Sequence, residues 1–230
     1  MTGFLQDSVF FGVAVSLLSY GLGSALQKKF RTALCNPLLI SVAVTIGVLL
    51  AAHVDYAHYY AGAKYLSYLL TPATVSLAVP LYDRLALLRR NWRAILAGIA
   101  SGVLTSLCCI LAMAAAFRLD HREYVTLLPK SITTAIGMGV SEELGGYVPL
   151  TVAVIIITGV LGNLFAEGAC RLFRITDPIA RGVAIGTSSH AIGTARAMEL
   201  GETEGAMSSL SIAVSGLLTV AAASVFAQFR

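Results

Sequence analysis

Between Ala94 and Phe117 the chain runs without a charged side chain, and long apolar runs also cover Phe10–Leu26, Leu150–Phe173 and Ala206–Phe229. A helix needs about 20 apolar residues to cross a hydrocarbon core. No water reaches the backbone there, so every amide must be satisfied within the segment, and a helix does this. The whole composition agrees: 57% of residues are hydrophobic and 12% charged, where a soluble domain carries about twice that charged fraction. The expected fold is an all-α polytopic membrane protein with about 6–8 membrane segments by span length, some of them broken or re-entrant. It is read as a single integral membrane domain, with N-terminal spans in 1–62 and repeated broken-helix and long-helix units in 63–230.

The net charge of +4 comes mainly from loop clusters at Lys28, Lys29 and Arg31 and across Arg84, Arg89, Arg90 and Arg93. In a membrane protein such clusters mark cytoplasmic loops, which puts the N-terminus outside. They carry no nucleic-acid reading, because no basic–aromatic platform accompanies them. The stretch Asp83–Arg93 is expected to be a short loop. His53 to Tyr60 is expected to be an interfacial loop with an aromatic belt. Pro72 and Pro80 prevent the run Lys64–Tyr82 from being one regular helix. Cys35, Cys108, Cys109 and Cys170 form no CxxC and have no histidine pair nearby, so packed thiols are expected in place of a metal site or a disulfide. The first apolar run lacks a basic n-region and reads as a retained helix. No HExxH, P-loop or GxGxxG-after-strand pattern is present, and no catalytic role or cofactor is expected.

Two stretches break the apolar rule. LLPKSITTAIGMGVSEELGGYVP at 127–149 is too polar for lipid and too apolar for an exposed loop. DPIARGVAIGTSSHAIGTARAMEL at 177–200 combines glycines, a Thr-Ser-Ser-His run and charges at Arg181, Arg196 and Glu199. Polar groups left unsatisfied in hydrocarbon cost several kcal/mol each (roughly, by transfer scales), so both stretches should be buried in protein or line a wet cavity. An offset of 57 residues aligns Ser101–Thr105 with Thr158–Gly162 and Ser215–Thr219, and Pro72–Ser76 with Pro129–Thr133 and Gly186–His190. That offset predicts a repeated unit of a broken segment followed by a continuous helix.

In the second unit, Pro129 is expected to start a helix with Lys130, Ser131, Thr133 and Thr134 in its first turn. Free N–H groups and the positive dipole end there attract anions, and a lysine with hydroxyls would complete the pocket. Lys130, Thr134, Gly137 and Ser141 would share one face. In the third unit, Asp177 is the expected N-cap and Pro178 the first helical residue. Thr187, His190 and Thr194 would share a face, with Ser188 and Ser189 beside them. Gly98/Gly102 and Gly182/Gly186 form small-xxx-small pairs for close helix contact. Asn163 is read as an interhelical hydrogen bond or a ligand contact, and Arg196 with Glu199 as an i, i+3 pair. His190 and Glu142 are the proton-coupling candidates, because ionisable groups at membrane depth can relay protons. The expected site lies between the Lys130–Thr134 and Thr187–Thr194 segments and takes a small organic anion.

The motifs PATVSLAVPLY at 72–82, PKSITTAI at 129–136, SEELGG at 141–146 and GTSSHAIGTA at 186–195 together resemble the LrgB/CidB family. The resemblance covers the chain from about Pro72 to the C-terminus. It is similar to bacterial inner-membrane members and to the C-terminal half of the plastidic glycolate/glycerate translocator. The resemblance implies a multi-span protein of the bacterial cytoplasmic membrane, with an LrgA/CidA-type small membrane protein as partner and self-association into a homo-oligomer. It implies either transport of small carboxylates such as glycolate, glycerate or pyruvate, or antiholin/holin-like control of murein hydrolase activity. It assigns no site residues.

Overall fold

A computed structural model describes residues 10–30, 37–69, 72, 75–76 and 78–230. Among these residues every regular element is helical. The chain packs as two compact units, Met1–Ser76 and Leu77–Arg230. Cys35 lies outside the described residues, and so do Ala73 and Thr74 of the first copy of the 57-residue offset.

In the first unit, helix α1 (Phe10–Phe30) packs on α2 (Pro37–Ala51) and α3 (Tyr56–Ser67). The contacts are backbone-close because α1 presents glycine. A Cβ on Gly23 would lie 2.6 Å from the Pro37 carbonyl oxygen, and one on Gly12 would lie 2.5 Å from Ala63 N. The Ser16 hydroxyl, 2.7 Å from both Gly12 O and Tyr59 Oη, adds a polar tie. The aromatic belt is not a loop. Tyr56, Tyr59 and Tyr60 occupy the first turns of α3, where Tyr56 and Tyr60 stack at 5.8 Å. At 15 residues, α2 is roughly 22 Å long, short of the hydrocarbon core of about 30 Å.

In the second unit, a short α4 (Ala78–Asp83) precedes α5 (Leu85–Phe117), α6 (His121–Leu127), α7 (Thr134–Glu143), α8 (Val148–Leu172), α9 (Pro178–Leu200) and α10 (Glu202–Phe226). A final 3-10 turn covers Ala227–Phe229. Helices α1, α5 and α8 and the segment Glu202–Phe229 are long and apolar enough to cross a membrane, so the protein is a multi-pass membrane protein. The basic stretch Asp83–Arg93 is not a loop: α5 starts at Leu85, and Arg89, Arg90 and Arg93 stand on its opening turns. Nothing in that sequence breaks a helix, and arginine has high helix propensity.

The core of this unit forms around α5. Ile95, Ile99, Val103, Leu107, Ile110 and Ala114 recur every three to four residues and are all buried, which is one stripe of a helix. Against them lie Tyr124, Val125, Leu128 and Ile132 from the α6–α7 region and Ala206 and Met207 from α10. Outward positions stay apolar, with Ile157, Phe165 and Leu217 all more than half exposed, as expected of surfaces that meet lipid. An Arg84–Glu202 ion pair joins the starts of α5 and α10. At the other end, Tyr124 Oη donates to Phe226 O (3.1 Å) and Arg230 Nε donates to Leu119 O (2.6 Å). The two helices therefore run parallel.

Candidate functional site

The expected anchor of the site, a helix starting at Pro129, is replaced by a turn. Residues 128–131 form that turn, and α7 begins only at Thr134 with Thr133 as N-cap. Thr133 lies in the extended region and makes no side-chain cap. Lys130 therefore shares no helical face with Thr134, Gly137 and Ser141. Ser141 turns inward instead, 2.7 Å from the Thr151 hydroxyl on α8. The apolar Leu128 and Ile132 that flank Pro129–Ser131 both pack into the α5 core, and Pro129, which has no N–H to donate, ends α6 before the turn.

Helix α9 starts as expected. Asp177 caps the Ala180 N–H at 2.9 Å and Pro178 occupies the first turn. The helix then breaks at His190, whose φ of 43° and ψ of −144° are non-helical. That region disfavours any residue with a Cβ and costs of order 1–3 kcal/mol. Helices α8 and α10 supply what holds it. Glycines on α8 make room: a Cβ on Gly159 would lie 2.6 Å from His190 Cε1, and one on Gly162 would collide with Ser189 Oγ. His190 Nε2–H donates to Ile155 O (3.0 Å), and Asn163 Nδ2 donates to Ile192 O (2.8 Å). Thr194 Oγ1 donates to His190 O (2.9 Å) and lies 2.7 Å from Ser208 Oγ on α10.

The expected common face of Thr187, His190 and Thr194 is consequently split. Thr187 turns to α5, His190 to α8 and Thr194 to α10. Replacing His190 tests this account. His190→Ala should lose the Ile155 bond and keep the strained backbone. His190→Gly should be more stable than His190→Ala by about 1 kcal/mol, although it removes more atoms, because glycine adopts that backbone at little cost. Thermal unfolding of the two purified variants decides, and Ala equal to or above Gly would refute the strain.

What α9 and the Lys130 turn do bring together is a cavity of about 700 Å³ against α5, within the usual range of small-molecule pockets. Its polar wall carries Lys130, Ser131, Thr187 and Ser188; its apolar wall includes Ile95, Ile179 and Val183. The close approach of α9 to α5 depends on glycine. A Cβ on Gly102 would lie 2.8 Å from Thr187 Cγ2, and one on Gly98 would lie 3.3 Å from Val183 Cγ1. Lys130 Nζ donates to Ser131 Oγ (2.9 Å), which lies 3.4 Å from Ser106 Oγ on α5. None of the ion pairs among the described residues uses Lys130. The other charged residue of the wall, Asp177, is exposed, and its carboxylate already accepts the Ala180 N–H.

Thr187 Oγ1 is buried without a hydrogen-bond partner, alone in this among the described side chains. Burying an unsatisfied hydroxyl costs about 1–3 kcal/mol, so such a group calls for a reason in strain, a water, an ion or a ligand. Thr187→Val should therefore raise the thermal stability of the ligand-free protein by about 1 kcal/mol and weaken ligand binding at the same time. Loss of stability on that substitution would show that the hydroxyl already has a partner.

Of the residues singled out by sequence, Lys130, Ser131, Thr187 and Ser188 line the cavity. Ser189 is buried behind them, 3.0 Å from Ser188 Oγ. His190, Thr194 and Asn163 belong to the break. Thr133 and Thr134 are half-buried at the start of α7, outside the cavity wall, and Glu142 is exposed in the last turn of α7. Arg196 pairs with Glu199 (2.5 Å) as its spacing predicts and also with Glu167 on α8 (2.8 Å). The contribution of α5 through Ser106 and Cys109 was missed. Its signal was present as small and polar residues every four positions at 98, 102 and 106, where only helix packing had been read.

Residues 16–229 match the LrgB-like family. The chain is 36% identical over 223 residues to antiholin-like protein LrgB of Bacillus cereus strain B4264, covering 96% of each chain. It has the same similarity to antiholin-like protein LrgB of Bacillus anthracis strain A0248. No solved structure matches it. With nearly its whole length matched on both counts, this chain belongs to the LrgB-like family.

Proposed function

We propose that this chain is an antiholin-like protein of the bacterial cytoplasmic membrane, not a catalyst, and that its Leu77–Arg230 unit binds a small organic anion in the Lys130 cavity. The name antiholin-like protein LrgB, which its relatives carry, supports the antiholin-like part and fits control of murein hydrolase activity and lysis better than it fits transport. An LrgA/CidA-type small membrane protein as partner and self-association belong to the same reading. The observation that carries the anion site is one cavity lined by a half-buried lysine without an ion pair and a buried hydroxyl without a partner among the described residues.

A second reading, transport of a small monocarboxylate of the glycolate, glycerate or pyruvate type, is favoured by that cavity and by the broken helix beside it. Secondary transporters build their sites from interrupted helices. The 57-residue repeat is supported by two irregular positions at that spacing: Thr133, the N-cap of α7, and His190, where α9 breaks. Proton coupling through His190 or Glu142 is part of this second reading.

The test is paired. Cells lacking the protein are complemented with the native chain or the Lys130→Ala variant, and murein hydrolase activity and lysis are scored. In parallel, both proteins in vesicles are assayed for uptake of labelled glycolate, glycerate and pyruvate with and without an imposed pH gradient. Control of lysis with no saturable uptake supports the first reading alone. Saturable uptake lost in the variant establishes the second, and uptake that ignores the gradient removes the proton coupling.

A further inference from the structure

The opening turns of α5 carry a second feature, which shares only Ile95 with the lining of the Lys130 cavity. A groove of about 650 Å³ between α5 and α10 is lined by Leu85, Leu88, Ile95, Leu96 and Leu210, with Arg89 and Trp92 on its edge. Its apolar residues on α5 extend from Leu85 to Leu96, roughly 16 Å of helix, and reach the start of the uncharged run at Ala94. Arg89 lines the groove, and Arg93 follows one turn later on the same side of α5. Both are exposed, and no ion pair among the described residues uses them. Arg93 lies over the Trp92 ring at 5.4 Å, which places a guanidinium beside an aromatic of the kind that sits at headgroup level. The nearby negative charges are few. Glu202 is taken by Arg84, and Asp83 is the remaining carboxylate of this segment.

We infer that this groove binds one anionic phospholipid. Its phosphate is held by Arg89 and Arg93, and its acyl chain runs from there past Ile95, Leu96 and Leu210 toward the uncharged run that begins at Ala94. Charge complementarity selects the occupant. A second apolar helix would fill the groove but leave these arginines without counter-charge, and a zwitterionic headgroup, whose own cation offsets its phosphate, would attract them less than a net anionic one. Basic side chains at a membrane surface attract anionic headgroups, and Arg89 and Arg93, at i and i+4, stand on one helical face where both reach a single phosphate.

The experiment is native mass spectrometry of the full chain in detergent, titrated with phosphatidylglycerol, with phosphatidylcholine of the same chains, or with inorganic phosphate. The expected result is one tightly retained phosphatidylglycerol. Retention should weaken about fivefold for each arginine lost in Arg89→Gln and in the Arg89→Gln/Arg93→Gln double variant. Leu210→Trp, which fills the groove without changing charge, should also lose the lipid. Circular dichroism and a monodisperse elution profile establish that each variant is folded, and the single arginine variant serves if the double one is not. Equal retention of phosphatidylcholine, displacement of the lipid by inorganic phosphate alone, or undiminished retention in the folded variants would overturn the assignment.

Discussion

Gly186→Leu is expected to separate α9 from α10 and to be among the most destabilising single changes in the Leu77–Arg230 unit. A Cβ at Gly186 would collide with the Ser208 carbonyl oxygen and lie 2.8 Å from Ser208 Cα. One turn earlier, a Cβ at Gly182 would lie 2.5 Å from the Glu204 carbonyl oxygen. These neighbours are backbone, so no rotamer change relieves the clash and α10 must move as a body. Overpacking of a tight core costs about 1–3 kcal/mol, and a rigid backbone partner puts this case at the upper end. Ser208 also holds Thr194, so the displacement should loosen the His190 break as well. Thermal unfolding in detergent, with Gly21→Leu as control because a Cβ there meets nothing within 4 Å, measures the difference. Equal stability of the two variants would mean that α9 and α10 do not pack as described.

The second large effect concerns Lys130. Lys130→Ala should weaken binding of a small monocarboxylate by roughly 10–100-fold, the range expected for losing a charge-assisted hydrogen bond of about 1.5–3 kcal/mol. Lys130→Arg keeps the charge but changes its geometry, and should retain part of the affinity. Because Lys130 has no ion-pair partner among the described residues, removing it strands no buried carboxylate, and the fold should survive. Isothermal titration with glycolate or pyruvate reads the affinity. A Lys130→Ala protein that is folded and binds as well as the native one would detach the anion site from this cavity. Titration of Thr187→Val with the same ligands then separates the two contributions. The lysine supplies charge and should act on every monocarboxylate, whereas Thr187 should matter most for those carrying a further hydrogen-bonding group.

Much of the fold could be read from sequence because its causes are local. The uncharged run at 94–117 could only be a helix, and Asp177-Pro178 marked the start of α9 through chemistry confined to one turn. The pairs Gly98/Gly102 and Gly182/Gly186 announced close helix contacts, and each glycine meets a partner helix. Where the sequence reading failed, side chains beyond the segment had decided. Pro129 was a sound helix start by local rules, yet residues 128–131 form a turn between Leu128 and Ile132, both packed in the α5 core, and α7 begins only at Thr134. Arginine and tryptophan at 84–93 looked like a loop by charge, yet nothing there interrupts a helix, and α5 simply begins earlier.

The candidate site divides in the same way. Lys130, Ser131, Thr187 and Ser188 were legible as polar residues that membrane-depth backbone must bury or wet. Which of them meet was not legible. The periodicity of α9 put Thr187, His190 and Thr194 on one face, and only the glycines of α8, the Ile155 carbonyl and Ser208 of α10 show why the helix breaks between them. Sequence alone thus determined that this chain is a helical membrane protein with polar, glycine-broken segments, because hydrophobicity and helix capping act over a few residues. The tertiary structure decided which polar groups share a cavity and which hold a kink, because backbone strain is tolerated only where distant side chains offset its cost.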